Sequence, residues 1–455
     1  MVASSPKSIA VLGGGVTGLT AAYRLAKLGH FVRLFEQGPR PGGVIRTEIA
    51  GGWLIEAGPN SFQENSPEIT AFLDELGLSR DRVEAGPAAK NRYLVRHGRL
   101  QPLPMSPPAF LTSRLFSLPG KVRVLAEIFR RPRVRPGDIS FAAFMREHFG
   151  RELVDYAIQP FVSGIYAGDP EQLSTRHAFP KLWELDETHG SLLRGQLARA
   201  RCSPGPRGGP KVISFRRGLQ MLPDALAAGL PAGSIALNAR VESVTPGAYW
   251  AVTWHDGQVS HTEEFAAVVA ALPAAALARL VIGTDGIRPL GALDAVPAPP
   301  VASLFLGFRR EQVTHPLDGF GVLVPALEKR AMLGVLFSST LFPGRAPDGH
   351  VALTVMIGGT LQPDLAGQPP GKLWDSVRGD LRDLLGVTGE PVFQRQAFWP
   401  HAIPQYNLGH HRHLAAIAAC EQANPGLFIG GNVRNGIALP DCLRAGLALA
   451  EKAVQ

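Results

Sequence analysis

Cysteine is nearly absent: the 455 residues contain three, Cys202, Cys420 and Cys442. So few, odd in number and without Cys-x-x-Cys spacing, they exclude a disulfide framework and a thiolate zinc site, and they read as reduced, partly buried thiols. Long apolar runs are also missing. The longest, Ala266 to Ala278, is too short to span a bilayer and is broken by Pro273. A glycine-rich turn arrives almost at once after the first residue, which leaves no room for a signal or transit peptide and makes a cytoplasmic protein the expectation. No recognition-helix pattern and no aromatic-plus-basic ribonucleoprotein motif occurs, so nucleic acid is set aside as a partner. The surplus of 46 Lys+Arg over 38 Asp+Glu, a net charge of +8, points instead to an anionic lipid surface or an acidic substrate. No Gly-x-Ser-x-Gly elbow supports a hydrolase triad. His401, His410, His411 and His413 lie close together but lack neighbouring acidic or cysteine ligands, so they read as polar loop residues and no metal is expected.

What the chain does have is length for two or three domains and 45% hydrophobic residues. Ser8 to Leu12 reads as a buried parallel strand, Leu19 to Leu28 as a helix closing at Gly29, and Phe31 to Phe35 as a second strand ending at Glu36. Between the first strand and the helix stands Gly13-Gly14-Gly15-Val16-Thr17-Gly18, a dinucleotide-binding fingerprint. Gly13 allows the tight turn, Gly15 the approach of backbone amides to a pyrophosphate, and Gly18 close helix packing, while the helix N-terminus adds partial positive charge. Glu36 supplies a carboxylate for ribose hydroxyls and disfavours the 2′-phosphate of NADP. The segment Pro41 to Thr47 carries a second glycine pair, Gly42-Gly43, suited to wrapping backbone around a diphosphate and a flavin edge. FAD is therefore favoured over NAD.

Further along, prolines crowd residues Pro102 to Pro136, among basic side chains and Phe110, Leu115, Phe116, Leu118, Leu125, Ile128 and Phe129. This part reads as an insertion lying on a surface, and Cys202 to Lys211 as a mobile connection. Ser234 to Ala271 reads as short strands ending in the apolar strand Ala266 to Leu272. Val301–Gly307, Gly321–Val324, Leu333–Phe337 and Val351–Ile357 resemble strands of an antiparallel sheet, Trp374 to Leu385 a helix, and Leu439 the start of the last helix.

The glycine turn, Glu36, Gly42-Gly43 and the later Gly430-Gly431-Asn432 together resemble the amine oxidase and protoporphyrinogen oxidase superfamily of flavoproteins. Asn91-Arg92-Tyr93, Ser163 to Pro170 and Gly319 to Pro325 narrow the resemblance to the oxygen-dependent protoporphyrinogen oxidases. It covers the chain from Ile9 to the final helix. It implies an α/β fold: a Rossmann-like FAD-binding domain of the p-hydroxybenzoate hydroxylase type, an antiparallel-sheet substrate domain and a mainly helical insertion. The segments expected are 1–90, 206–275 and 425–455 for FAD binding, 91–205 for the insertion and possible membrane contact, and 276–424 for substrate.

Around FAD the resemblance implies Gly13, Gly14, Gly15, Val16, Thr17 and Gly18, then Glu36, Gln37, Gly42, Gly43 and Val44. It adds Gly58, Pro59, Asn60 and Ser61, Val241 through its backbone, and Asn432, Ile437, Ala438 and Leu439. Around substrate it implies Arg92, Gly164, Phe320, Leu323 and Met356, with the Gly164 carbonyl facing pyrrole N–H groups. A porphyrinogen is a large apolar macrocycle with carboxylate arms, so apolar walls and one cation suit it. Read without the resemblance, Arg92 is a solvated arginine, Leu323 and Met356 are strand core, and Gly164 is a turn glycine.

The activity implied is six-electron oxidation of protoporphyrinogen IX in haem synthesis, with hydride passing to flavin N5 and O2 released as peroxide, and with no obligatory side-chain acid or base. Coproporphyrinogen III is the rival substrate; the single basic candidate, Arg92, favours protoporphyrinogen. An amine oxidase is disfavoured because Gly436-Ile437-Ala438-Leu439 lacks an aromatic residue, and Asn432 to Leu439 lacks a cysteine, so FAD is expected to be non-covalent. A catalytically silent flavin or tetrapyrrole carrier is the reading from another class. Peripheral membrane contact through the insertion, and a homodimer, stay open.

Overall fold

The computed structural model describes residues 5–202, 211–284 and 286–455. The expected connection from Cys202 to Lys211 lies largely outside them. The nucleotide-binding half is built on a five-stranded, wholly parallel sheet in the order Ile235–Ala236, Phe31–Phe35, Ser8–Leu12, Ala267–Ala270, Leu427–Ile429. Both of its faces are covered, which is why its strands read as unbroken apolar runs. Ile9 and Val11 point into one core, with Leu19 and Leu25 of the first helix and Leu443 and Leu449 of the last. Ala10 and Leu12 point into the other, with Val252, Phe265 and Leu277.

The first helix runs Val16–Lys27, three residues earlier at its start than the hydrophobic pattern suggests, because Gly15 is its N-cap and the helix issues straight from the glycine turn. Gly446 of the last helix, Leu439–Val454, lies so close that a Cβ there would stand 2.5 Å from the Thr17 carbonyl oxygen.

A seven-stranded sheet forms the second half, in the order Phe393–Trp399, Val301–Arg309, His350–Gly358, Gly334–Leu336, Gly319–Leu323, Asn91–Arg96, Arg99–Pro102. Two expectations are corrected here. Residues 91–102 do not belong to a helical insertion; they are strands of this sheet. And the sheet is mixed, since Gly319–Leu323 pairs with Asn91–Arg96 in parallel. The expected boundary near residue 275 also passes through a sheet, as Val281–Ile282 pairs with Arg240–Thr245. One face of the seven-stranded sheet packs Leu304, Val322, Val335 and Val355 against Trp374, Val377 and Leu381 of the helix Pro370–Leu385.

Helices from Pro107 to Cys202 form a third layer with its own core of Phe141, Phe144, Phe149 and Val162. A buried ionic cluster ties it together. His148 stands 2.7 Å from Glu127 and 3.2 Å from Asp186, and Arg135 lies 2.8 Å from Asp186. Burial opposes the charged ring, but the Asp186 and Glu127 carboxylates outweigh it and hold His148 above its ordinary value. Burial likewise opposes the carboxylates, yet His148, Ser191 and the Leu192 and Leu193 amides hold Glu127 below its ordinary value, and His148 and Arg135 do so for Asp186.

Cys420 and Cys442 are free and buried. The histidine group is corrected: His410, His411 and His413 lie in the helix His410–Ala423 rather than a loop, and His410 is buried. Among the described residues no cluster of potential metal ligands occurs, and no helix is long and apolar enough to cross a membrane.

Candidate active site

The carboxyl ends of the parallel strands bring the fingerprint residues together, the position at which open α/β sheets hold ligands. Gly13 turns with φ +99°, and a Cβ there would meet the Ala271 carbonyl oxygen at 2.6 Å; one on Gly18 would meet the Gly13 oxygen at 1.9 Å. The Glu36 carboxylate accepts from the Gly14 amide and the Gly38 amide, each at 2.7 Å. These two bonds fix the carboxylate at the glycine turn and leave lone pairs on both oxygens. Gln37 is exposed beside it.

The second glycine pair lies directly on the first. The Gly42 amide donates to the Gly14 carbonyl at 2.8 Å, and a Cβ on Gly43 would stand 3.3 Å from the Gly15 Cα. Arg40 clips this loop from inside, donating to the Ile45 carbonyl at 2.9 Å and the Gly43 carbonyl at 3.0 Å. Val44 is exposed above it, and a Cβ on Gly58 would meet the Val44 carbonyl oxygen at 2.1 Å, which brings Gly58 to Ser61 alongside. Asn60 donates to the Gly58 carbonyl at 3.1 Å. The Ala239 amide donates to the Glu36 carbonyl at 2.9 Å, so the chain entering Val241 is pinned to the same edge.

These residues fit a dinucleotide. The first helix has no side-chain cap and no acidic residue in its first turn, and nothing approaches within 4 Å of where a Gly15 Cβ would stand. Uncapped amides at a helix start facing open space suit a pyrophosphate.

The remaining face of the seven-stranded sheet, opposite the helix Pro370–Leu385, gathers the other group. Register aligns Leu94, Leu323, Gly334, Met356 and Ser303 in one row, and side chains of one row share a face. Arg92, two residues before Leu94, points the same way. Strict alternation would send Phe320, three residues before Leu323, to the opposite face. A register shift between Gly319 and Val322 prevents this. At Gly321 the chain takes φ +152°, and a Cβ there would lie 2.2 Å from the Val335 carbonyl oxygen. Phe320 consequently packs beside Leu336 and lies under the Arg92 guanidinium, 5.3 Å from its ring centre.

Gly164 reaches this face from the helical layer. A Cβ on it would stand 2.4 Å from Leu323 Cδ2. It belongs to the last turn of the helix Gln159–Tyr166, where carbonyls have no intrahelical partner. The helix ends at Ala167, left-handed at φ +55°, whose carbonyl accepts from the Thr360 amide at 2.8 Å beside Gly358-Gly359. Arg92, Gly164, Phe320, Leu323 and Met356 are all half-buried, as walls of a cleft are. The structure thus brings the five expected substrate residues to one surface.

Asn432 sits in the turn following Leu427–Ile429, and the Gly430 amide donates to Ala270 at 3.1 Å. Ile437 packs on the core of the helical layer, and Ala438 caps the last helix. Sequence reasoning missed Tyr406 and Gln405. Gln405 donates to the Tyr166 carbonyl at 2.7 Å. The Tyr406 hydroxyl bridges Asn432 and Gly436. Neither stands in a recognisable motif, and only the fold brings them to the site.

Residues 16–454 match the family described as flavin containing amine oxidoreductase. The chain is 34% identical to protoporphyrinogen oxidase 2, chloroplastic/mitochondrial, of Arabidopsis thaliana, over 99% of this chain and 94% of that protein. It is 27% identical to coproporphyrinogen III oxidase of Staphylococcus aureus, over 98% and 99% of the two chains. In fold it resembles the crystal structure of a putative protoporphyrinogen oxidase from Exiguobacterium, with a TM-score of 0.83 at 24% identity over 99% of both chains. On these matches the chain belongs to the flavin-containing amine oxidoreductase family, and it is an FAD-dependent oxidoreductase.

Proposed function

We propose that this enzyme oxidises protoporphyrinogen IX to protoporphyrin IX in haem synthesis, with O2 as acceptor and hydrogen peroxide released. Six hydrogens leave the macrocycle as three hydrides and three protons, and three O2 become three H2O2. The observation that carries the reading is the single sheet face on which Arg92 stands over Phe320, beside Leu323 and Met356, with Gly164 closing against Leu323. Apolar side chains suit the ring system, and one guanidinium suits a propionate.

When bound, FAD supplies the hydride acceptor at N5. Gly13 to Gly18 would hold its pyrophosphate, Glu36 and Gln37 its ribose, and Gly42 to Val44 with Gly58 to Ser61 the adjoining edge. Val241, Asn432 and Ile437 to Leu439 complete that surface, with no covalent link. The task left to the protein is to orient and desolvate the macrocycle, with the Gly164 carbonyl turned to its pyrrole N–H groups.

The plant relatives named for protoporphyrinogen are more similar to this chain than the bacterial relatives named for coproporphyrinogen III, which supports the choice of substrate. Coproporphyrinogen III, with four carboxylates, would want more cations than Arg92 offers. Relative rates on the two porphyrinogens with one preparation decide between them: a higher kcat/KM for protoporphyrinogen IX is expected, and a clear preference for coproporphyrinogen III overturns the choice.

The insertion suits rest on an anionic bilayer from the cytoplasmic side. Leu118, Val122, Leu125 and Phe129 recur at helical spacing along one face and are 74%, 57%, 50% and 82% exposed. Lys121, Arg123 and Arg131 flank them.

A further inference from the structure

The turn between Gly431 and Ala438 is held by two side chains from a separate part of the chain. The Tyr406 ring stacks on His410, with centroids 4.3 Å apart and planes at 15°. The Tyr406 hydroxyl donates to the Asn432 carbonyl and accepts from the Gly436 amide at 3.0 Å. His410 Nε2 donates to the Val433 carbonyl at 3.1 Å. Three backbone groups of one turn are thereby fixed from one stacked pair.

The pair is anchored on its other side to the helical layer. The Ser174 amide donates to the Tyr406 carbonyl at 2.8 Å, and Gln405 donates to the Tyr166 carbonyl, two residues beyond Gly164. Both rings are almost fully buried. Burial, with His177 and His413 nearby, pushes His410 down to about 4, so the ring is neutral and presents a single N–H, the one given to Val433.

We infer that Tyr406 and His410 form a positioning pair, which sets the Asn432 to Gly436 turn against the flavin; the neighbouring Gln405 ties the pair's segment to the helix carrying Gly164. The inference rests on the reading that residues 432–439 face FAD. The pair touches no reacting atom; it acts through the backbone it holds.

The test uses the full chain stripped of FAD and titrated with FAD, followed by flavin fluorescence, absorption and amide hydrogen exchange. In the wild type, FAD is expected to slow exchange at residues 431–438. If FAD leaves this segment unchanged, the underlying reading fails and the inference with it. Tyr406→Phe keeps the ring and the stack but loses both hydroxyl bonds. It is expected to weaken FAD binding about tenfold, to shift the bound flavin's absorption bands and to lower the apo-protein's melting temperature by no more than a few degrees. His410→Phe, which keeps the stack and loses the Val433 bond, is expected to weaken FAD binding about threefold. If FAD protects the turn in the wild type while both variants bind FAD with unaltered affinity and spectrum, the positioning role is overturned.

Discussion

Arg92 carries the largest share of the substrate assignment, because it stands over Phe320 beside Leu323 and Met356, whereas Arg96, on the same face, is paired with Glu152. A charge-assisted bond to a carboxylate is worth roughly 1.5–3 kcal/mol. Arg92→Ala should therefore lower kcat/KM for protoporphyrinogen IX by about ten- to a hundredfold with flavin content unchanged. Steady-state kinetics on the yellow protein check this, and an unaltered kcat/KM would remove Arg92 from the site. Gly164 gives a steric counterpart. The added methyl of Gly164→Ala meets Leu323 Cδ2 at 2.4 Å, a flexible side chain that yields by moving into the cleft. A higher KM with normal FAD content is the expected result. Gly18→Ala differs in kind, because its methyl would lie 1.9 Å from a backbone oxygen, that of Gly13, which cannot yield. Purified Gly18→Ala should carry less than about a tenth of the wild-type flavin, read from the absorption spectrum.

At the scale of elements, the helical layer is expected to respond to pH through its buried cluster. His148 is held above its ordinary 6.5, so its contribution is complete below about 6.5 and is lost as pH rises through the higher folded value. Glu127 and Asp186 are held below 4.5 and 3.8, so theirs is present above those values and lost as pH falls. Hydrogen exchange in the helix Phe141–Phe149, corrected for intrinsic rates, should be slowest between about pH 5 and 6.5 and quicken towards pH 9. Protection that keeps rising above pH 7 would contradict the charged state of His148.

The same scale shows what a linear reading can reach. Ser8–Leu12 and Phe31–Phe35 were legible because burial on both faces leaves an unbroken apolar run, and the glycine turn because its backbone geometry demands glycine. Strand Asn91–Arg96 pairs locally with Arg99–Pro102, but its place in the seven-stranded sheet was not legible, since there it joins Gly319–Leu323, more than two hundred residues away. Phe320 shares a face with Leu323 only through a bulge that alternation does not foretell. Helix His410–Ala423 was hidden by its polar start, and its buried His410 makes sense only beside Tyr406. The resemblance supplied the substrate residues as a set; their gathering on one surface needed the fold.

Three layers meet across the whole molecule: a parallel sheet with its glycine turns, a seven-stranded sheet whose second face carries the Arg92 group between Trp53 and Phe116, and helices that close over that group at Gly164. The exposed stripe from Leu118 to Phe129 lies on the outside of the helical layer. If it rests on membrane, the protein should co-sediment with liposomes containing anionic lipid at low salt, and Leu118→Asp with Phe129→Asp should abolish this without changing turnover. Liposomes that leave the wild type in the supernatant at low salt would contradict membrane contact.

On the proposed function, FAD held at the glycine turn oxidises a porphyrinogen lying on the Arg92 face. The most direct measurement mixes the yellow holoenzyme anaerobically with protoporphyrinogen IX, follows flavin absorbance, and then admits O2. Bleaching of the flavin, its recovery on aeration, and turnover releasing three hydrogen peroxide molecules for each porphyrin formed are expected. A flavin that stays oxidised while porphyrin appears no faster than by autoxidation would contradict the proposed function.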